Sequence, residues 1–151
     1  MLRFSKSQFD ASFPDERACL AALMQVRHGG TEIWCPACMT RARFHQMRRR
    51  RAYACQNCGH HLFPCAETIF ARSRTPLQTW FRAMYLMSGA RTGVSAKTLE
   101  RELGVTYKTA WRMAQLLRRL MATADYRGAV AGLGPALAFA ALTRLATRAT
   151  P

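Results

Sequence analysis

With 151 residues the chain has room for one ordinary domain or two or three very small ones, which excludes a large enzyme. Its 23 Lys and Arg stand against 8 Asp and Glu, a formal charge of +15, and so basic a surface selects polyanionic partners through long-range fields and counterion release. The basic residues are spread over several segments and not gathered on one amphipathic helix, which favours nucleic acid over a membrane surface.

The opening stretch, "MLRFSKSQFDASFPDERACL", lacks the apolar core and small-residue cleavage site of a secretory signal. The chain is therefore expected in the cytoplasm, associated with the nucleoid. Thiols there stay reduced, and paired cysteines serve more often as metal ligands than as disulfides. A first helix is expected from Pro14, Asp15 and Glu16, with Leu20, Leu23, Met24 and Arg27 at helical spacing and Gly29-Gly30 as its stop. Cys19 falls among these apolar residues and reads as a small buried hydrophobe.

Next come strand-like pieces, "RFHQM", "RAYAC" and "HLFPCAETIF", set around two Cys-x-x-Cys pairs. Cys35, Cys38, Cys55 and Cys58, with sixteen residues between the pairs, have the spacing of a zinc site. Each tight turn aims two thiolates at one ion, and four thiolates close its tetrahedron, so the zinc would be structural. A segment of about forty residues is too small to fold on an apolar core. A disulfide would add about 2–4 kcal/mol, whereas structural zinc contributes about 10–16 kcal/mol in small fingers. His60 and His61 follow the second pair and read as strand or turn residues, and Cys65 as a packing thiol. The arginines between the pairs fall at the tip of the hairpin, Gln46 to Ala52. Arg48, Arg49, Arg50 and Arg51 at that tip, with Arg41 and Arg43 on the adjoining strand, are the candidates for tracking a phosphate backbone.

At "RTPLQTW", Thr75 is expected to cap a helix, with Pro76 in its first position and Gln78 completing a capping box. Leu77, Trp80, Phe81, Met84 and Tyr85 then form one apolar face. The segment "GVSAKTLERELGVTYKTAWRMAQLLRRLM" reads as a helix-turn-helix, with Ser95 capping the first helix, Gly104 permitting the turn and Thr106 capping the second. Ala110, Met113, Ala114 and Leu117 face inward. Tyr107, Lys108, Thr109 and Arg112 are left outward, where a recognition helix meets bases and phosphates, while Trp111 is expected to pack on the first helix. The apolar run Ala129 to Leu142 is too short to span a bilayer and is broken by Gly132, Gly134 and Pro135.

The expected fold class is α+β in small domains. A helical lead-in takes residues 1–30, a zinc ribbon 31–70, a three-helix helix-turn-helix region 71–123, and an Ala-rich degenerate tail 124–151 that is irregular, partly helical or disordered.

The run "CPAC…YACQNCGHHLF…ETIFARSRTPLQTWFRAMYLM…GVSAKTLERELGVTYKTAWRM", about residues 4 to 121, resembles the N-terminal part of bacterial insertion-sequence transposases that open with a zinc ribbon and end in a ribonuclease-H-like domain with an acidic triad. The resemblance implies zinc on Cys35, Cys38, Cys55 and Cys58, and binding of the element's terminal repeats in double-stranded DNA by the helix from Thr106. Glu67-Thr68 stands where that family usually has Gly-Thr. Metal-assisted phosphoryl transfer needs several converging carboxylates, and after the helix-turn-helix this sequence offers Asp125 alone. The expectation is thus a DNA-binding chain without its own chemistry, partnering with DNA and with itself or an intact transposase. The alternatives are a free-standing repressor built of the same two modules, an active transposase completed by acids from another chain, and a ribbon making protein contacts in transcription or translation machinery.

Overall fold

The computed structural model describes residues 5–90, 92–130 and 135–148; Gly132 and Gly134, expected to break the last apolar run, lie outside them. The class is α+β, with a small antiparallel sheet near the N-terminus followed by helices. No helix among the described residues is long and apolar enough to cross a membrane.

Helix α1 (Lys6–Ser12) begins at Ser5, whose hydroxyl accepts from the Gln8 N–H while the Gln8 side chain accepts from the Ser5 N–H. This reciprocal box in "SKSQ" is a purely local signal for the helix start. Helix α2 (Glu16–His28) starts at Asp15, which caps the Ala18 N–H at 2.8 Å, and stops at Gly29, left-handed at φ 75°. It buries Cys19, Leu20, Leu23 and Met24.

Four strands follow in the order β1 (Glu32–Cys35), β2 (Thr40–Gln46), β3 (Tyr53–Cys55) and β4 (His61–Leu62), each antiparallel to the next. Strand β1 lies outside the expected pieces, and the expected strand over 61–70 shrinks to two residues. Beyond Leu62 the chain turns repeatedly: Pro64 has no N–H to give a ladder, Thr68 donates its hydroxyl to the Cys65 carbonyl at 2.6 Å, and Glu67 is left-handed at φ 58°. The turn that a glycine would make freely is therefore kept by Glu67 at a cost of about 1–2 kcal/mol.

Helix α3 (Leu77–Gly89) corrects the expected cap. Pro76, not Thr75, is its N-cap residue, and no side chain of its own caps it. The Glu16 carboxylate of α2 does so instead, accepting from the Leu77 N–H at 3.0 Å and the Gln78 N–H at 3.3 Å. Gln78 reaches back to donate to the Phe13 and Pro14 carbonyls at 3.0 and 2.9 Å. The same carboxylate holds the Arg51 guanidinium at 2.8 Å, and Arg51 also donates to the Ser73 and Thr75 carbonyls at 3.0 and 2.9 Å. One acid thus joins α2, the hairpin and the start of α3.

Helix α4 (Ala96–Leu103) is capped by Ser95 and ended by Gly104 at φ 66°; α5 (Tyr107–Met121) is capped by Thr106. Leu99 of α4 and Ala110, Met113, Ala114 and Leu117 of α5 are buried against each other and α3. Of the irregular, partly helical or disordered forms expected for the tail, its described residues take the helical one. They form α6 (Ala124–Val130) and α7 (Pro135–Ala146), and α7 packs chiefly on α3. Phe139, Leu142 and Leu145 recur on one face of α7 and are buried, Phe139 meeting Phe9 edge to face at 5.9 Å and Phe81 at 6.1 Å. An alanine-rich stretch with an apolar face has high helix propensity, and burial of that face holds it in place.

Glu16→Ala is expected to destabilise the zinc-loaded chain by about 2–3 kcal/mol, since a helix cap and charged hydrogen bonds go together. Thr75→Ala should stay within about 0.5 kcal/mol; urea unfolding of both variants measures the contrast, and equal losses would restore the local cap. Glu67→Gly should raise stability by about 0.5–1 kcal/mol in the same measurement.

Candidate metal centre and nucleic-acid interface

The zinc ligands sit on two matching turns. After β1, the Met39 N–H closes onto the Cys35 carbonyl at 2.9 Å; after β3, the Gly59 N–H closes onto the Cys55 carbonyl at 2.9 Å. Both closing residues are left-handed, Met39 at φ 58° and Gly59 at φ 75°. Register then brings the turns together, because β1 pairs with β2 and β2 with β3, setting Cys35 opposite Thr40 and Cys55 opposite Phe44.

All four sulfurs lie within 4.8 Å of one another, with Cys35–Cys58 and Cys38–Cys55 separations of 3.7 Å. Zn–S bonds of about 2.3 Å in a tetrahedron place sulfurs about 3.8 Å apart, whereas a disulfide needs about 2 Å. The donor set therefore fits one structural zinc ion and no cross-link. Hydrogen bonding to Cys58, then burial, pushes the Cys38 thiol well above its ordinary value. Burial also works against the Cys55 thiolate, but the backbone N–H groups of Cys58 and Asn57 outweigh it and bring the group to about 7. Four thiolates this close repel one another, and a bound cation offsets that repulsion.

The two remaining cysteines stand apart from the cluster. Burial pushes Cys19 up to about 12 and Cys65 up to about 11, so both are neutral packing groups. His60 and His61 also lie outside it; the His61 ring instead meets Phe63 edge to face at 6.2 Å. Among the described residues, the four cysteines are the one group of three or more potential ligands close enough to share an ion.

The basic candidates divide. Arg48, Arg49 and Arg50 are exposed at the hairpin tip, where the Met47 N–H bonds to the Ala52 carbonyl at 2.9 Å. Arg51 differs from them: it is half-buried and bonded to Glu16, Ser73 and Thr75, because the tip folds its last arginine back against α2. Arg41 and Arg43 are exposed on β2, Arg41 donating to the Glu32 carbonyl at 3.0 Å and Arg43 pairing with the Glu32 carboxylate at 2.9 Å. That pair is open to solvent, where such contacts contribute little.

On α5, Tyr107, Lys108 and Arg112 are exposed. Thr109 is half-buried, its hydroxyl taking a hydrogen bond from the capping Thr106 hydroxyl at 3.0 Å. Trp111, expected to pack, is 51 % exposed and lies one turn beyond Tyr107, which is 49 % exposed. Helical spacing explains both: residues 107 and 111 share a stripe about 100° from the buried stripe of Ala110, Met113 and Leu117. Lys97 of α4 lies over the Tyr107 ring at 5.8 Å, and Arg118 donates to the Val94 carbonyl at 2.8 Å, fixing the α4–α5 unit to the segment before it.

A four-cysteine ribbon followed by a capped helix-turn-helix defines a zinc-ribbon protein of mixed α+β build. Residues 14–61 match the transposase zinc-ribbon domain of the IS1595 type. It is 30 % identical over 112 residues, 73 % of its length, to an uncharacterized protein in transposable element ISH50 of Halobacterium salinarum. The match spans 37 % of that relative, so the chain corresponds to well under half of its length. No solved structure matches.

A strong chelator is expected to loosen the ribbon and make Cys35, Cys38, Cys55 and Cys58 react rapidly with a colorimetric thiol reagent, Cys19 and Cys65 following only on global unfolding. Rapid labelling of all six before chelation would contradict the zinc assignment.

Proposed function

We propose that this chain is the DNA-anchoring part of an insertion-sequence transposase, binding the duplex at the element's ends. The observation that carries the reading is the outward surface of α5, where Tyr107, Lys108, Trp111 and Arg112 are exposed beside a turn that Gly104 and Thr106 hold rigid. A helix presented from its N-terminal turns in this way suits the major groove, with Lys108 and Arg112 toward phosphates and guanine edges and the aromatic rings toward thymine methyl groups. Arg48, Arg49 and Arg50 would add sequence-independent phosphate contacts.

The chain's role in this reading is binding and not phosphoryl transfer. Five of its eight carboxylates are engaged in separate parts of the fold: Asp15 caps α2, Glu16 caps α3, Glu32 pairs with Arg43, Glu100 with Lys97, and Asp125 with Arg148. Two-metal chemistry on DNA calls for carboxylates that converge.

Lys108→Ala and Arg112→Ala are each expected to weaken gel-shift binding to an element-end duplex about five- to a hundredfold where a base contact is lost. A change that removes a phosphate contact should instead lower affinity evenly across sequences and reduce the salt slope by about 1. Unchanged affinity for both variants would remove α5 as the reader, and a strand-transfer product formed with Mg2+ by this polypeptide alone would overturn the binding-only role.

A further inference from the structure

The ribbon sheet has two faces, and the functional reading uses only part of one. The inward face is set by Ala42 and Phe44 of β2, Tyr53 and Cys55 of β3 and Ile33 and Leu62 at the flanks, all buried or half-buried. Side chains alternate along each strand, and residues paired across strands share a side. Arg41, Arg43 and His45 therefore project outward from β2, every second residue, and are exposed. Trp34 of β1 pairs with Arg41 and shares that side, 57 % exposed. At the opposite flank, His45 pairs with Ala54 and Ala54 with His61, so His61 is outward as well. Phe63, two residues on and 48 % exposed, sets its ring edge-on to His61 at 6.2 Å.

The outward face thus carries aromatic rings at both flanks, and between them Arg41, Arg43 with its Glu32 partner, His45 and the buried Ala54. Aromatic rings and arginines are enriched in protein interfaces too, so what favours a polyanion here is the formal charge of +15. The pattern suits a strand whose phosphates meet cations while its unpaired bases stack on rings, since every base has a π-face. A duplex offers the rings no bases to stack on, because its bases are already stacked on one another.

Resting on the DNA-end reading above, we infer that the outward face of the ribbon is a stacking surface for unpaired DNA bases, holding a single strand at the element's end while α5 holds the duplex. Trp34 and Phe63 stack bases. Arg41 and Arg43 neutralise the phosphates between them, the exposed Arg43–Glu32 pair yielding to the strand.

The test compares the zinc-loaded full chain with its Trp34→Ala/Phe63→Ala variant, measuring fluorescence anisotropy on labelled decathymidine and on a blunt element-end duplex. Expected is a loss of about tenfold or more on the single strand, with duplex affinity within about twofold and zinc content unchanged. Equal losses on both substrates, or none on the single strand, would overturn the inference. So would a fall in oligomeric state in sedimentation with single-strand affinity intact, which would assign the face to a second copy of the chain. A ribbon free of substitutions gives an independent reading: in a Trp111→Phe background the exposed Trp34 reports over the buried Trp80, and decathymidine should quench it. An unquenched Trp34 would also sink the inference. The two readings fail separately, because Lys108→Ala and Arg112→Ala act on the duplex arm alone.

Discussion

The Glu16 carboxylate is the constraint on which the arrangement depends. The zinc ion can fold its own hairpin, but nothing in four thiolates fixes where that hairpin points. Glu16 does so by meeting three elements at once, its own helix α2, the Arg51 end of the hairpin and the first N–H groups of α3. An exposed ion pair contributes little, and this one is half-buried with 29 and 40 % of its side chains open. Its strength lies in number: the carboxylate takes backbone and guanidinium donors together, and the guanidinium spends its other donors on carbonyls that have no ladder partner. The ribbon and the helix-turn-helix are thereby parts of one packed structure, with a continuous apolar core from Phe9 to Ala146.

What the sequence made legible was local. The cysteine spacing needs only two turns and a hairpin, and the α4–turn–α5 unit announces itself through Ser95, Gly104 and Thr106 within a dozen residues. The failures have the opposite character. "TPLQ" has the letters of a capping box, yet the cap comes from a residue sixty-one positions away, which no local rule can see. The tail's helical option has no partner visible in the sequence, because Phe139 meets Phe9 and Phe81 from the far end of the chain, with Leu142 and Leu145 buried on the same helix. Strand β1 was missed because four residues ending in a ligand cysteine carry too short an alternation to stand out. Sequence alone leaves Trp111 between packing on the first helix and touching DNA; its helical position, one turn from Tyr107, accounts for its exposure.

Backbone strain marks where function and turn geometry meet. The two zinc turns are near copies, but one closes with Gly59 and the other with Met39 in the same left-handed region. A non-glycine residue there persists only when its surroundings over-determine it, and zinc supplies that over-determination for Met39. Glu67 has no metal nearby. Its turn is held by the Thr68 hydroxyl, which donates to the Cys65 carbonyl and accepts from the Phe70 N–H, and by Arg27, which donates to the Pro64 and Ala66 carbonyls.

That use of Arg27 points to how so basic a chain stays folded. With few carboxylates available, arginines tie loops to the body through carbonyl oxygens: Arg27 to Pro64 and Ala66, Arg51 to Ser73 and Thr75, Arg118 to Val94. A guanidinium suits this task because its rigid fork presents several donors at once and is less strongly hydrated than an ammonium, so less is lost on leaving water. The consequence for recognition is that a formal charge of +15 overstates what is offered to a polyanion. Arginines bound to carbonyls keep their charge, but their donors and positions are committed to the fold. Among the described residues, the exposed arginines at the hairpin tip and Lys108 and Arg112 on the outward turns of α5 carry no such tie, and it is the placement of the cations, more than their total, that would decide how a polyanion is held.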